Sequence, residues 1–531
     1  MNIAEYIADQ LFNAGVRHVF GIPGGPSIPY MEAFREAGIE FILTSNESAA
    51  ATMADVSARI TGIPGVCHAT FGPGATNILT GTGEAYLDRS PILVFTSEMP
   101  DSMLHRTTQM NIDHQKLFEP VTKKSFRVTP ENVKSVMDSA LRISKEEYPG
   151  PVHIGLPSDI AGMEVIDYVL NFSSAGEENF KNEIENLISQ LEKTRHPLIA
   201  IGLTAARLGL RKPILDFLDK NKIPVVVTPM AKGLIPDDHE SYAGVLFHAL
   251  SDYLEDIFVK TDLLIGIGYD PVEYNYEAWM PEVPLIHFNT VETDMPEGLE
   301  VYQFIGHPSD WFKILDHINS GSLIFEKAVL DGIRDEMASV FNGFLNHFGP
   351  VSVLKILKDE LPADSVITAD VGSHLHLIGQ YWRTELPEKL IITNGWSSMG
   401  FGIPAAISAQ LSLPGSTVVC LTGDGGFLMM AGELVTAKRL NLPIITVVFS
   451  DGELNLIKIK QSWKELQPYG TNIYSGDLFG TESFLGLRVL TADSEDKMRK
   501  SVNTALSLDE PVIINAIIDP EDYKWLVVRQ K

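Results

Sequence analysis

One stretch limits the possible folds more than any other: residues 417 to 461, TVVCLTGDGGFLMMAGELVTAKRLNLPIITVVFSDGELNLIKIKQ. An apolar run, Val418 to Leu421, ends in Gly423, Asp424, Gly425 and Gly426. A helical pattern follows, and a second apolar run, Ile444 to Phe449, ends in Ser450, Asp451 and Gly452. That order is strand, loop, helix, strand, loop, and a right-handed crossover between parallel strands brings their carboxyl ends side by side. The acidic turns at Asp424 and Asp451, 27 residues apart, therefore meet where open α/β sheets bind ligands. Two hard carboxylate oxygens and the backbone carbonyl of Glu453 supply half of an octahedral Mg²⁺ shell, leaving substrate phosphates or water to complete it. The glycines let backbone N–H groups approach a phosphate. The helix starting near Leu454, with Asn455, Leu456 and Ile457 in its first turn, offers its positive end to the same anion. Gly-Asp-Gly by itself is ordinary turn chemistry; the order of the whole unit is what points to a divalent ion and a diphosphate.

With 531 residues the chain exceeds one core and is expected to form about three domains. A formal net charge of −28 disfavours nucleic acid or anionic membrane as a partner, because like charges repel. It also means that any phosphate site must be assembled from metal, glycine backbone and helix ends. The two cysteines, Cys67 and Cys420, lie in apolar strand-like runs, which predicts buried thiols in a reducing compartment. The N-terminus has Ile3, Ile7, Leu11 and Phe12 at helical spacing instead of a basic start and an apolar h-region, and no uncharged apolar run approaches the roughly 20 residues needed to cross a bilayer. A cytoplasmic protein is expected.

Residues 1–170 alternate amphipathic helices with short apolar strands, the pattern of an α/β domain with a parallel sheet. Its strand-end loops are GIPGGP at 21 to 26, with Gly24 and Gly25, then SNES at 45 to 48, and FGPGATN at 71 to 77. Glu47 follows the strand IEFILTS and precedes a small-residue helix, so it lies at the sheet's carboxyl edge, where a carboxylate also suits a helix N-terminus. From Phe172 to Thr194 the chain turns polar and helical, as a linker and first helix. A second α/β unit spans about 185–335. There GLTAARLG and GIGYDP lack the full dinucleotide fingerprint with its acidic residue about 20 positions on. The last unit, 345–531, has a strand ending at Asp370, with Gly372, Ser373 and His374 on the next turn, where hydroxyl and imidazole groups either bind phosphate or serve structure.

These motifs together resemble the thiamine-diphosphate (ThDP) enzymes of the acetolactate synthase and 2-oxoacid decarboxylase superfamily. The resemblance implies three doubly wound parallel-sheet α/β domains: pyrimidine-binding, central and diphosphate-binding. It implies that Glu47 hydrogen-bonds N1′ of the aminopyrimidine, and that Met399, within SSMGFGIPAA, wedges the cofactor into a V while the Ser397 carbonyl accepts from its 4′-amino group. Many members carry Asn where this chain has Asp451, and Asp still offers an oxygen to Mg²⁺. Anabolic members carry FAD in the central domain, but GYDPVEYNYEAW resembles the flavin-free, catabolic type, so FAD is expected to be absent.

The chemistry implied is decarboxylation of a 2-oxoacid such as pyruvate by the cofactor, the retained unit then taking a proton or joining a second 2-oxoacid. Thr70 stands where some decarboxylases place a His, and no adjacent His pair is present, which favours carboligation. The segment RTTQMNIDHQKLFEPVTK leaves either Gln109 or Met110 over the family's substrate-side Gln. Lys460 either pairs with an acceptor carboxylate or is a solvated helix residue. The alternatives are a non-ligating 2-oxoacid decarboxylase or related lyase, and a non-catalytic ThDP-binding protein. Because Glu47 and the acidic turns lie on different domains, the resemblance implies a homo-oligomer, dimer or tetramer, with active sites between chains.

Overall fold

The alternation of short apolar runs with helices yields three sheets in the computed structural model, which describes residues 1–166, 184–384 and 386–526. The first holds β1 (His18–Ile22), β2 (Glu40–Leu43), β3 (Gly65–Ala69), β4 (Ile92–Glu98), β5 (Lys124–Arg127) and β6 (Val152–Pro157), ordered β2-β1-β3-β4-β6-β5 and parallel throughout. The second holds β7 (Pro197–Ile201), β8 (Val225–Val227), β9 (Tyr242–Val245), β10 (Leu263–Ile267), β11 (Leu285–Asn289) and β12 (Val301–Ile305), ordered β12-β11-β10-β7-β8-β9, again parallel. The third holds β13 (Val366–Ala369), β14 (Leu390–Ile391), β15 (Val418–Gly423), β16 (Ile445–Ser450), β17 (Ser483–Phe484), β18 (Leu487–Ala492) and β19 (Val512–Ile517). Its order is β14-β13-β15-β16-β19-β18-β17, and only the β17–β18 pair is antiparallel.

The expected fold class of three doubly wound α/β sheets is what forms. Strands such as β3, β4, β7 and β16 are buried along their whole length, which is why they read as unbroken apolar runs rather than alternating ones. Each sheet has a winding reversal beside its first strand in sequence: between β1 and β3, between β7 and β10, and between β13 and β15. Ligands of open α/β sheets bind at those reversals, beyond the strands' carboxyl ends.

The first and third sheets share one apolar cluster that runs from Phe20 and Cys67 to Ile403, Cys420 and Phe427. At its centre the helix Glu47–Thr61 packs against the helix Gly402–Ser412. The sequence ESAAATMADVSA is small because both sides of that helix are covered, and the Ser408 hydroxyl donates across the contact to the Met53 carbonyl at 2.6 Å. A buried ionic knot locks the docking. The Arg59 guanidinium donates to Asp55 at 2.6 Å, to Asp88 at 2.7 Å and to the Ile392 carbonyl, while Asp88 accepts from Gly395 N–H at 2.9 Å. Charges buried this way are tolerated because each has a partner. Cys67 on β3 and Cys420 on β15 are buried and free, and burial pushes both thiols up.

Of the polar segment expected from Phe172 to Thr194, residues 172–183 lie outside the described residues, as does the expected boundary at 170; a helix is seen at Ile184–Lys193. Among the described residues no helix is long and apolar enough to cross a membrane.

Gly65 sets how closely the Glu47 helix approaches β3: a Cβ there would stand 1.9 Å from the Ala54 carbonyl oxygen. Gly65→Ala is expected to destabilise the protein by about 1–3 kcal/mol or more, since backbone would have to move. Gly332→Ala, in open space within the helix Lys327–Phe344, is expected to stabilise it by about 0.5–1 kcal/mol. Denaturant midpoints of the two variants, measured beside the parent, check both signs.

Candidate active site

Asp424 opens the helix Asp424–Met430 at the end of β15, and Asp451 follows β16, the adjacent strand. The crossover therefore brings the two turns together, and a single carboxylate staples them. Asp424 Oδ2 accepts from Gly452 N–H at 2.7 Å and Asp451 N–H at 3.1 Å, and its Oδ1 accepts from Gly425 N–H at 2.8 Å. The Tyr474 hydroxyl lies 3.2 Å from the same Oδ2, on a segment held to the turn by Leu454 N–H to the Thr471 carbonyl and Ile473 N–H to the Gly452 carbonyl. Asp451 accepts from Glu453 N–H at 3.0 Å. Burial, and then the charge of Asp424, push the Asp451 carboxyl up to about 7; burial also raises Asp424. Asp451, Gly452, Glu453 and Tyr474 line a cavity of about 510 Å³.

The glycines around this turn admit neighbours that a side chain would displace. A Cβ on Gly425 would lie 3.0 Å from Met399 Cε and 3.3 Å from Leu454 Cδ2, so Met399, half-buried, stands over the Gly-Asp-Gly loop. A Cβ on Gly426 would reach within 2.4 Å of Asp370 Oδ2. Asp370 is the hub here. It accepts from Gly400 N–H at 2.8 Å, Val371 N–H at 2.7 Å and the Thr422 hydroxyl at 2.9 Å, tying the loops after β13, before the helix Gly402–Ser412 and after β15 into one wall. Burial pushes its carboxyl up to about 6. Gly372 precedes the helix Ser373–Tyr381, where Ser373 and His374 are buried. The His374 ring stacks on Phe449, its Cε1 would lie 3.4 Å from a Cβ on Gly423, and its Nε2 has no hydrogen-bond partner among the described residues. Burial holds that imidazole down near 3.

Glu47 is the first residue of its helix, with Asn46 capping Ser48 N–H at 2.8 Å. It is buried, accepts from Asn77 Nδ2 at 3.1 Å, and lies against Gly74 of the FGPG loop, where a Cβ would stand 3.3 Å from Oε1. The turn that carries it is fixed by Glu433, whose Oε1 accepts from Ser45 N–H at 2.8 Å and Asn46 N–H at 2.9 Å. Glu84 likewise bridges the first and third sheets, accepting from Thr52 at 2.7 Å and from the Ser398 hydroxyl beside Met399; burial pushes it up to about 8. Ser397 is exposed, with φ 55°.

Asp424, Asp451, Glu453, Gly423, Gly425, Gly426, Met399, Gly372, Ser373, His374, Asn455, Leu456 and Ile457 thus converge on neighbouring strand ends. Gly24 lies over Thr70, with 2.3 Å between a would-be Cβ and Oγ1, and Gly25 faces open space. Of the Gln109 and Met110 pair, Met110 packs against Gly72 while Gln109 is exposed. Lys460 is exposed on the helix Asn455–Trp463 and makes no hydrogen bond or ion pair among the described residues. Sequence reasoning missed Glu433, Glu84, Asn77 and Tyr474, and treated Asp370 only as a strand end. Glu433 carries no local signal, since it reads as one more helix-surface acid and its partners are 387 and 388 residues away.

Family comparison decides what this arrangement belongs to. The chain matches the thiamine pyrophosphate enzyme N-terminal TPP binding domain over residues 1–117, the central domain over 184–308 and the C-terminal TPP binding domain over 370–516. It is a member of the thiamine pyrophosphate enzyme family. The Bacillus subtilis (strain 168) acetolactate synthase is 28% identical across 98% of this chain and 93% of that protein. The Escherichia coli (strain K12) acetolactate synthase isozyme 2 large subunit is 29% identical across 99% of this chain and 97% of its own length.

The residues present fit a metal-bound diphosphate. Buried Asp424 and half-buried Asp451, on adjacent turns, form an acidic set that a divalent ion would compensate, and His374 Nε2, unpartnered among the described residues at a glycine loop, is the kind of group a phosphate oxygen satisfies. In the metal-free enzyme the raised Asp451 carboxyl has a definite sign. Its folded value exceeds the unfolded one, so it destabilises the fold progressively as pH rises from about 4 to about 7 and by a constant amount above that, on the order of 2–4 kcal/mol. Asp451→Asn is therefore expected to gain stability over the parent at pH 8 and to show little difference at pH 4. Denaturant unfolding of the metal-free pair across that range measures it.

Proposed function

We propose that this enzyme uses thiamine diphosphate and Mg²⁺ to decarboxylate a 2-oxoacid, pyruvate, and to join the retained unit to a second 2-oxoacid, the activity that the relatives' name, acetolactate synthase, describes. The observation that supports it most is the stapled pair of acidic turns, Asp424 Oδ2 holding the N–H groups of Asp451 and Gly452, beside His374 Nε2. Asp424, Asp451 and the Glu453 carbonyl would hold the ion. Gly423 to Gly426, Gly372 to His374 and the helix start at Asn455, Leu456 and Ile457 would hold the diphosphate. When bound, thiamine diphosphate supplies the nucleophilic carbon and the electron sink for the 2-oxoacid. Glu47 would hold a proton at N1′, steadied by Asn77; Met399 would set the bend between the rings; and the Ser397 carbonyl would accept from the 4′-amino group. Gly24, Gly25 and Met110 or Gln109 would border the substrate, and the exposed Lys460 would meet an acceptor carboxylate.

Two features support work without FAD. At the winding reversal of the central sheet, Glu273 is buried and accepts from Leu203 N–H and Met230 N–H, both at 3.1 Å, so a carboxylate stands where a nucleotide phosphate would. Tyr269, Tyr276 and Trp279 pack beside it, with Tyr269 and Tyr276 stacked at 4.4 Å. A homo-oligomer, dimer or tetramer, with sites between chains is favoured by the exposure of Leu428 (42%), Met429 (56%) and Val435 (43%) on the helices that follow Asp424. Within one chain no hydrogen bond or ion pair among the described residues joins Glu47 to the acidic turns. The setting proposed is the cytoplasm.

The test is incubation with pyruvate, thiamine diphosphate and Mg²⁺ and analysis of the product. Acetolactate is expected. Acetaldehyde alone would assign the plain decarboxylase reading, and binding without turnover the non-catalytic one. Glu47→Gln is expected to lower kcat by about 10²- to 10⁴-fold while calorimetry still detects cofactor binding.

A further inference from the structure

Behind the FGPG loop lies a polar chain that the functions above leave unused. His114 and His153 are buried, and the Thr96 hydroxyl sits between them, 2.9 Å from His114 Nδ1 and 2.8 Å from His153 Nε2. His114 Nε2 lies 3.4 Å from Gly72 N, the residue that caps the short helix ending in Asn77. At the other end the Ser125 hydroxyl is 2.6 Å from His153 Nδ1 and 2.7 Å from Gln115 Oε1.

Every proton in this chain has one allowed place. Gln115 Nε2 faces two acceptors, Glu98 at 2.7 Å and the Phe126 carbonyl at 3.2 Å, which fixes the amide's orientation. Glu98 in turn pairs with Arg127. Ser125 must therefore donate to Gln115 Oε1, so His153 Nδ1–H donates to Ser125. Thr96 then donates to His153 Nε2 and accepts from His114 Nδ1–H. That leaves the His114 Nε2 lone pair aimed at Gly72 N–H. All the bonds donate in one direction, toward the Glu98 carboxylate, and so polarise one another.

Gly72 has φ +67°, and a Cβ there would meet Met110 Cβ at 2.9 Å, so backbone bonding, not a side chain, must hold the loop. From Gly72 the short helix Pro73–Asn77 runs to Asn77, whose amide holds Glu47. We infer that His114 is a positioning residue for Glu47, acting through Gly72 and the Asn77 amide, with Thr96 fixing the tautomer in which it acts. This rests on the reading of Glu47 as the group that activates the cofactor.

Protonated His114 would turn an N–H toward the Gly72 N–H, so the device needs a neutral ring. Burial holds His114 down near 4, with Asp113 opposing and Arg127 reinforcing; His153 on β6 is also pushed well down, and the Glu98 carboxylate completes the charged surroundings. Glu98, His114 and His153 also converge closely enough to ligate a metal, their ligand atoms lying within 4.8 Å of one another, but the hydrogen bonds above already use both imidazole lone pairs.

The test compares Thr96→Val, Thr96→Ser and His114→Phe in the full chain loaded with thiamine diphosphate and Mg²⁺. Thr96→Val and His114→Phe are expected to slow C2–H/D exchange of the bound cofactor and kcat together by about 10- to 100-fold, with cofactor affinity and KM for pyruvate unchanged. Thr96→Ser should retain the parent rate. Parent-like exchange in both impaired variants would overturn the proposal. A parent that neither binds nor activates the cofactor would sink the reading of Glu47 instead. If the two variants fail to fold, ¹⁵N-histidine spectra of the parent still decide. A His114 signal of the neutral Nδ1–H form that persists to pH 5 supports the proposal; a His114 that titrates near pH 6.5, or a stoichiometric metal bound at these side chains, refutes it.

Discussion

Two carboxylates, Asp424 and Asp451, meet on adjacent turns, and the rest of the site is arranged around the electrostatic problem they create. Asp424 spends its hydrogen-bonding capacity on the backbone of the neighbouring turn, which fixes the spacing of the two strand ends but leaves the Asp451 carboxyl crowded by a like charge in a half-buried cavity. Burial raises the Asp451 carboxyl most, and the Asp424 charge, poorly screened where solvent is largely excluded, adds to it, together to about 7. A bound cation would relieve such a pair. The thiamine pyrophosphate enzyme family provides that context, and in the proposed reading the glycine loops and His374 would supply the anion side of the same arrangement.

The second dependence is mechanical. The turn that carries Glu47 is fixed against the third sheet, and the chain achieves this with acids rather than with apolar packing alone. Asp88, Glu84 and Glu433 each reach from one sheet's body to the other's backbone or hydroxyl groups. Such contacts have direction, so they set register as well as distance. The apolar cluster beneath them resists separation but would tolerate small slides, which directional bonds do not. The His114 chain extends the same logic to the other side of Glu47, where a glycine conformation rules out holding the loop by a side chain.

Much of this was legible in the residues. The run from Val418 to Asp451 implies a parallel neighbour pair, and the pair forms with Val419 opposite Ile445 and Gly423 opposite Phe449. Glu47 at a strand end before a small-residue helix was equally readable, since only a helix covered on both sides needs so many alanines. Glu433 was not readable, because an acid on an amphipathic helix looks the same whether it faces water or a turn 388 residues away. Gln109 and Met110 were indistinguishable until the loop's positive φ at Met110 placed that side chain on Gly72 and left its neighbour exposed.

From its order of amino acids alone, then, the chain determines which strands end in acid and glycine and which helices begin there, because hydrophobic period and turn chemistry act over a few residues. Tertiary structure alone decides which acids stay charged, which imidazole lone pair points at Gly72, and which residue of an adjacent pair packs against that glycine. Those outcomes depend on burial and on partners distant in the chain, and neither is encoded locally.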